Sequence, residues 1–383
     1  MKKLLSLAMA LLMIVTLTAC GGTATTSRPK VTLWATGSQN VEDAFTAALN
    51  VYNAKEDRKA DVELQFILSG TGDQSLSARL AAAYKSGTKN SGFDIIAENG
   101  NSLLSYSDEA GSEDVFMKID TTKLSNFANV LMKPSVLTDK LVPYRGTTVV
   151  FAYDSAKLPN PPQTWDELVS WCKANPGKFT YNTPDSGGAG NAFVNTAIYR
   201  LISDSSARTS NDVKWEQSWD AGFKWLAALH PYLYQSGGHV QYPVKNQGAL
   251  DLLGSGEIWL TPAWVDGTLS NIKNGTLPAT VKMYQLTDGA LSGTDVDFAM
   301  PSIGSNPDAC YDVINFMISV EGQQLFVDQM YAVPVIDASK LQQTDAVKAV
   351  SSLKASDFAS ISIGALNNDI RTRWTQDILP LAQ

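Results

Sequence analysis

Hydrophobic positions along the chain follow the spacings of strands and helices in turn, and the stretch Leu141 to Asp154 (LVPYRGTTVVFAYD) organises them. Pro143 and Gly146 interrupt its first half, and the β-branched and aromatic residues Thr147 to Tyr153 then predict a strand. The proline-rich connector Leu158 to Pro162 follows, and it can continue neither a helix nor a sheet. Thr164 and Glu167 then have the spacing of a capping box, which predicts a helix start. We therefore interpret this stretch as the hinge by which the chain leaves one globular unit and begins a second.

The residues before this stretch predict an α/β unit, because runs with strand and helix spacing alternate. The predicted strands are Lys30 to Trp34, Asp61 to Leu68 and Phe93 to Ala97, and the predicted helices are Val41 to Val51 and Leu76 to Tyr84. This order favours a parallel sheet, whose ligands bind at the carboxyl ends of its strands. Those ends are polar and contain glycine, at Trp34 to Ser38, Ser69 to Gly72 and Glu98 to Asn101. Loops are commonly polar, but three such ends indicate a candidate binding edge.

The second unit contains a glycine-rich loop, Asn182 to Asn191, between a predicted strand at Lys178 to Tyr181 and a predicted helix from Ala192. Such a loop at a helix start can expose backbone N–H groups to a ligand. It lacks the spacing of the known phosphate-cradling motifs, so a nucleotide site is not indicated. Further on, the predicted strand Glu257 to Thr261 leads into a loop with Trp264 and Asp266, which suit ring stacking and hydrogen bonding.

The remaining segments predict a return to the first unit. Val296 to Ile303 is apolar enough for a central strand, and Tyr331 to Val335 suggests a further crossing. The tryptophans of the predicted helix Trp215 to Leu229 have helical spacing and are interpreted as core. We expect the helical tail, Leu341 to Gln383, to pack on the second unit.

The amino terminus predicts export. Two lysines precede an apolar run, Leu4 to Thr18, that is too short to span a bilayer. The sequence Leu17 to Cys20 resembles the lipobox of bacterial lipoproteins, in which the cysteine is lipidated, for example with palmitate. An ordinary signal peptide is the alternative. Residues 21–29 then form a tether that holds the protein on the outer face of the membrane, or in the periplasm.

Composition narrows the function. A chain of 383 residues with 44% hydrophobic residues is long enough for about two domains. Its net charge of −8 and the lack of a basic patch argue against nucleic acid as a partner. Cys172 and Cys310 lie in apolar patterns and are expected to be buried free thiols, although a disulfide remains open. The two histidines lie outside any catalytic or metal-binding motif.

Several of these segments together resemble family 1 extracellular solute-binding proteins, the receptors of bacterial ABC importers. They are the lipobox, the strand Thr147 to Asp154 with Pro162-Gln163-Thr164-Trp165-Asp166-Glu167-Leu168, the loop Asp185 to Asn191, Gly256-Glu257-Ile258-Trp259 with Pro262-Ala263-Trp264, and Ala309 to Gly322. The resemblance implies an α/β, two-lobed periplasmic-binding-protein-like fold of type II, each lobe a mainly parallel sheet flanked by helices. It also implies a solute in the interlobe cleft, a membrane permease as partner, and no enzymatic activity. The implied division is 1–20 signal peptide, 21–29 tether, 30–143 and 294–335 amino-terminal lobe, 144–293 and 336–383 carboxyl-terminal lobe.

The predicted site combines polar and aromatic residues of both lobes. Its predicted members are Trp34, Thr36, Ser38, Ser69, Gly70, Thr71, Asn99, Tyr144, Asp185, Ser186, Gly187, Asn191, Trp264, Asp266 and Tyr331, with Cys20 as the lipidation site. They favour a small polar organic solute, either a sugar or an organic cation of the thiamine or polyamine kind. Iron is disfavoured because adjacent tyrosines are missing. We expect a monomer without cofactor or metal. A surface-anchored glycan hydrolase and a ligand-sensing lipoprotein are the alternatives.

Overall fold

The computed structural model describes residues 28–69, 75–351, 353 and 358–382. Its strands are β1 (Lys30–Gly37), β2 (Asp61–Leu68), β3 (Ile95–Asn99), β4 (Leu141–Asp154), β5 (Gln235–Ser236), β6 (His239–Val240), β7 (Leu260–Trp264), β8 (Val281–Tyr284) and β9 (Gly293–Ala299). Its helices are α1 (Gln39–Ala54), α2 (Leu76–Lys85), α3 (Gly100–Ala110), α4 (Trp165–Ala174), α5 (Gly188–Tyr199), α6 (Asp220–Leu229), α7 (Lys245–Ser255), α8 (Val265–Lys273), α9 (Pro307–Met317), α10 (Val320–Met330), α11 (Asp345–Val350) and α12 (Leu366–Asp377). The expected signal peptide, with Cys20, lies outside the described residues.

One sheet runs through most of the molecule, in the order β2-β1-β3-β9-β4-β7, with β8 also paired to β4. The strands β2, β1 and β3 are parallel to one another, as predicted. The expectation of a mainly parallel sheet does not extend further. Strand β9 is antiparallel to both β3 and β4. Strands β7 and β8 are also antiparallel to β4, so all three partners of β4 run in the direction opposite to it.

Strand β4 belongs to two hydrophobic cores. Its first half pairs with β9 and places Val142 and Tyr144 in a core with residues of α1, α9 and α10. Its second half pairs with β7 and β8 and places Val149 and Phe151 in a core with residues of α4, α5, α6 and α12. We call these two bodies the first lobe and the second lobe. Helix α4 then begins as predicted, because Thr164 Oγ1 accepts a hydrogen bond from the Glu167 amide at 3.1 Å.

Three segments differ from the predicted secondary structure. Trp264 ends a strand and directly precedes helix α8, where a loop was expected. The predicted helix Trp215 to Leu229 is divided into a 3-10 helix, Val213–Ser218, and α6. The predicted strand Lys178 to Tyr181 is reduced to a bridge between Phe179 and Leu260. In each case the sequence pattern allows more than one short element, and the packing of the surrounding lobe selects one of them.

The carboxyl-terminal residues contact both lobes. Val333 forms a bridge with Gly146 of β4, and Ala359 forms one with Ser292, next to β9. Helix α12 packs in the core of the second lobe, as expected for the tail. The expectation is wrong for helix α11, which packs on α10 of the first lobe through Val327 and Val347.

The two cysteines of the described chain are separate. Cys172 lies in the core of the second lobe and Cys310 in that of the first, and both are free and buried. Burial raises the pKa of each thiol to about 12. This confirms the predicted pair of buried thiols. No helix within the described residues has the length and hydrophobicity that a membrane span requires.

Candidate functional site

A buried carboxylate, Asp266, lies where the two lobes meet. It is in the first turn of α8 in the second lobe and is 6% exposed. It accepts a hydrogen bond from Thr147 Oγ1 at 2.9 Å and lies 3.5 Å from both Arg145 Nη1 and Asn40 Nδ2. Arg145 and Thr147 are on β4, and Asn40 is in the first turn of α1. One side chain of the second lobe therefore contacts the first lobe and the strand that joins them.

Arg145 is the charged partner of Asp266 and is itself 7% exposed. Its Nε donates to the Tyr144 hydroxyl at 3.4 Å and its Nη1 to Asp266 at 3.5 Å, and both bonds are long. Burial works against the charge of Arg145, but Tyr144, Asp266 and Glu98 together hold its pKa above the ordinary value. A guanidinium has five N–H donors, so the described residues satisfy this cation only in part.

The carboxyl ends of β1 and β3 meet beside Arg145. Because Ala35 pairs with Ala97, Thr36 lies next to Glu98, and its hydroxyl donates a short hydrogen bond to that carboxylate. Asn99 Nδ2 donates to the other oxygen of Glu98 at 2.7 Å. Burial raises the pKa of Glu98, although the bonds from Thr36 and Asn99 and the charge of Arg145 oppose this shift. The environment thus favours the neutral carboxyl.

The glycine-rich loop of the second lobe is closed by the protein's own amide groups. Ala189 N donates to Asn246 Oδ1 at 3.0 Å, and Gly190 N donates to Asn182 Oδ1 at 2.9 Å. A Cβ at Gly190 would lie 1.8 Å from the Asn182 carbonyl oxygen, so the loop requires glycine there. The expectation that this helix start presents free N–H groups to a ligand is therefore wrong for these two positions.

Trp264 packs against this loop and lies two residues before Asp266. Its ring is half-buried, and a Cβ at Gly188 would lie 2.8 Å from Trp264 Cζ2. Ser186, in the same loop, accepts a hydrogen bond from the Lys245 amide at 2.9 Å. Asp185 is exposed and has no hydrogen bond among the described residues. The loop therefore positions Trp264 through close packing rather than through charge.

A second pair of carboxyl groups lies on β9, on the side of α3. Asp297 is 0% exposed and neither of its oxygens has a hydrogen-bond partner in the described chain. Asp295 accepts from both the backbone and the hydroxyl of Ser135, at 2.9 and 2.8 Å. Burial and the charge of Asp295 raise the pKa of Asp297 well above its ordinary value. Within the described residues no group of three or more His, Cys, Asp or Glu is arranged to hold a metal ion.

Several predicted site residues lie at this junction. Thr36, Asn99 and Asp266 are connected to it through the hydrogen bonds described above, and Trp264 lies two residues before Asp266. Ser38 directly precedes α1, and the Ser69 amide donates to the Gly37 carbonyl at the end of β1, at 2.8 Å. The loop residues are Ser186, Gly187 and Asn191, and Asn191 Oδ1 is buried without a partner in the described chain. Gly70 and Thr71 lie outside the described residues.

Three predicted aromatic residues have other roles. Trp34 is already covered, because Phe93 and the guanidinium of Arg79 lie 5.4 and 4.5 Å from its ring. The ring of Tyr144 stacks on Phe298 at 4.4 Å in the first core, so only its hydroxyl reaches Arg145. Tyr331 ends α10 and packs in the cluster of α10 and α11. Tyr144 is buried, whereas Trp34 and Tyr331 are partly buried beneath neighbouring side chains.

The prediction missed Arg145, Thr147, Glu98 and Asn40. The first two are polar residues two apart on a largely apolar strand, and such residues face the same side of a strand. That spacing was an available signal for a site on the strand itself. Glu98 lies in the predicted polar strand end Glu98 to Asn101, but only the register of β1 and β3 distinguishes it there as a site residue. No pattern along the chain marks Asn40, because its role depends on the approach of the second lobe.

Comparison with known proteins fits this geometry. Residues 47–355 match the family model of the bacterial extracellular solute-binding proteins. The chain belongs to this family. It is 29% identical to the protein YnjB of Escherichia coli K12 over 186 residues. That alignment covers 47% of this chain and 46% of YnjB, so it spans less than half the length of the curated relative.

Solved structures of similar proteins share the fold. One is an ABC transporter substrate-binding protein from Bradyrhizobium japonicum, with a TM-score of 0.62, 17% identity, and coverage of 92% of this chain and 100% of that one. Another is the periplasmic binding protein AfuA from Actinobacillus pleuropneumoniae with fructose-6-phosphate bound, with a TM-score of 0.65, 14% identity, and coverage of 92% and 99%. These likenesses confirm the predicted α/β, two-lobed fold.

Proposed function

We propose that this solute-binding protein is the receptor of an ABC-type importer, which captures a small polar organic solute between its lobes and delivers it to a membrane permease. The observation that carries the proposal is the position of Asp266, which contacts Asn40 of the first lobe and Arg145 and Thr147 of the shared strand. A ligand shifts the balance between open and closed lobes only if it binds one arrangement better. Side chains of both lobes that meet around one point provide that difference.

The junction offers both donors and acceptors to a solute. Asp266 and Glu98 can accept hydrogen bonds, Arg145 can donate, and Trp264 provides a ring face. Sugars and organic cations, the two predicted classes, both use such groups. We propose further that Cys20 is lipidated, that the protein is an exported monomer, and that the lobes divide as predicted except for α11.

A thermal-shift screen of the purified protein tests the proposal. Sugars, sugar acids, amino acids, polyamines, thiamine derivatives and metal ions form the panel. A solute at about 100 times its Kd should stabilise the protein by about 2.7 kcal/mol. Small-angle scattering should show a more compact particle with the same solute. Chemical conversion of the solute by the protein, or stabilisation by no member of the panel, would contradict a receptor.

A test of the anchor is separate. Cys20→Ser should move the protein from the membrane fraction to the soluble exported fraction of the cells that produce it. An unchanged membrane fraction would remove the lipid anchor from the proposal and leave solute binding untouched.

A further inference from the structure

We infer that the solute carries a carboxylate group that binds to the guanidinium of Arg145. This inference rests on the proposed function and narrows the class of solute. It differs from both predicted classes, since neither a neutral sugar nor a polyamine contains such a group. Sugar acids and amino acids do.

The first argument is the incomplete pairing of Arg145. Arg145 is 7% exposed, so 93% of its surface is buried. Two of its donors have acceptors among the described residues, Tyr144 and Asp266, at 3.4 and 3.5 Å. Nη2 has no hydrogen bond among the described residues and is not one of their fully buried atoms without a partner, so it reaches solvent, where an acceptor from outside the chain can bind it. A carboxylate matches the guanidinium fork with two parallel bonds.

The second argument is the presence of two helix starts at the same junction. Helix α1 follows Ser38 and helix α8 follows Trp264, and neither preceding residue caps its helix with its side chain. Asn40 and Asp266, in the first turns of these helices, approach to 3.5 Å. Each helix start carries a partial positive charge of about half a unit. Together with Arg145 they make this point of the junction favourable for an anion.

The sum of the charges around Arg145 favours a solute group with a single negative charge. Arg145 and the two helix starts supply a positive charge of about two units, and Asp266 removes one of them. The carboxyl group of Glu98 accepts hydrogen bonds from Thr36 and Asn99 and has none with Arg145 among the described residues. The positive charge that remains around Arg145 is about one unit, which one carboxylate neutralises. A phosphate monoester carries nearly twice that charge and would be less favoured.

The test compares acids with their neutral counterparts on the wild-type chain. Sugar acids, amino acids and dicarboxylates are screened by thermal shift and titration calorimetry, each beside its own amide, together with phosphate monoesters, sugars and polyamines. We expect one acid to bind and its amide to bind at least about 30-fold more weakly, since loss of one partner of a buried charge pair has that effect.

Variants of Arg145 provide the second arm. Arg145→Gln should weaken binding of that acid by at least about 30-fold, and Arg145→Lys, which keeps the charge but not the fork, by less. Arg208→Gln removes the same charge from an exposed position and should leave binding unchanged. If Arg145→Gln does not fold, the comparison of acid and amide on the wild-type chain still decides.

The outcomes separate this inference from the proposed function. Tight binding of a sugar, polyamine, amide or phosphate monoester in preference to carboxylates would overturn the inference and leave the receptor intact. Binding of an acid that survives Arg145→Gln within threefold would overturn it as well. Stabilisation by no member of the panel would overturn both.

Discussion

The pair of Arg145 and Asp266 allows a quantitative prediction about the stability of the protein without a solute. The two residues are 7% and 6% exposed and share one contact of 3.5 Å. Removing one partner of a buried ion pair typically costs about 3–5 kcal/mol, because the other charge stays buried and unpaired. After Arg145→Met, Asp266 keeps its bond from Thr147 and its place at the start of α8. We therefore expect the lower end, a loss of about 3 kcal/mol in the free energy of unfolding.

A double-mutant cycle tests this account. Asp266→Asn keeps the bond from Thr147 and should cost about 2 kcal/mol, since it leaves Arg145 unpaired. The double variant should lose only about 2–3 kcal/mol, which gives a coupling energy of about 2–3 kcal/mol. The assay is urea unfolding followed by tryptophan fluorescence, with Arg208→Met as a surface control expected within about 0.5 kcal/mol of the wild type. Additive losses, or a loss for Arg145→Met no larger than that of the control, would refute the reasoning.

Three further predictions concern packing and pH. Gly188→Ala should displace the ring of Trp264, destabilise the protein by about 1–3 kcal/mol and weaken solute binding. Gly267→Ala is the control: its Cβ would lie 3.9 Å from the nearest atom, so it should stabilise α8 by up to about 1 kcal/mol. Calorimetry that ranks the two variants otherwise would contradict the packing. Burial lowers the pKa of His230, against a hydrogen bond to the Leu381 carbonyl, so the unfolded chain binds the proton more readily. The melting temperature should therefore fall as the pH drops below about 6.5, and His230→Gln should reduce that slope. Asp297 has a raised pKa in the folded state, so stability should decline as the pH rises above about 3.9. Asp297→Asn should remove this decline, and an unchanged pH profile would contradict the raised pKa of Asp297.

Strong local patterns made much of the fold predictable. Strand β2 has the predicted bounds, because residues that break regular structure flank its β-branched run. Strand β4 begins six residues before the predicted start at Thr147, because its first half pairs with β9 despite Pro143 and Gly146, with an irregularity between Pro143 and Arg145. Helix α8 was missed because Pro262 and Gly267 suggested a loop. Pro262 is tolerated because β7 is at the end of the strand order, and an edge strand needs no N–H on its free side. The position of a strand in the sheet is set by tertiary pairing and is not visible in the chain.

The site was predictable where a residue follows a strand end and not where it depends on two lobes. Trp264 ends β7, and Asp266 follows it in the first turn of α8, at the junction. Glu98 and Asn40 become site residues only through the pairing of β1 with β3 and the approach of α8 to α1. Trp34 also follows the rule of a polar strand end, yet Arg79 covers its ring. Sequence patterns place residues on elements, whereas access to a side chain is decided by what packs over it.

The strand that joins the two lobes also carries the candidate site, and this links their properties. Arg145 and Thr147 lie close to where β4 changes its partner from β9 to β7 and β8, so we expect a rotation of the lobes to change their position relative to Asp266. Gly146 lies between them, and a Cβ there would be 2.7 Å from Met132 Cε. Met132 Cε ends a flexible side chain and can move, but Phe358 Cε2 and Val333 Cβ, at 3.1 and 3.4 Å, also face the added methyl group, so the strand or its neighbours have to adjust at this point. A substitution at Gly146 is therefore expected to change solute affinity through the position of Arg145 and Thr147, without any contact of its own with the solute.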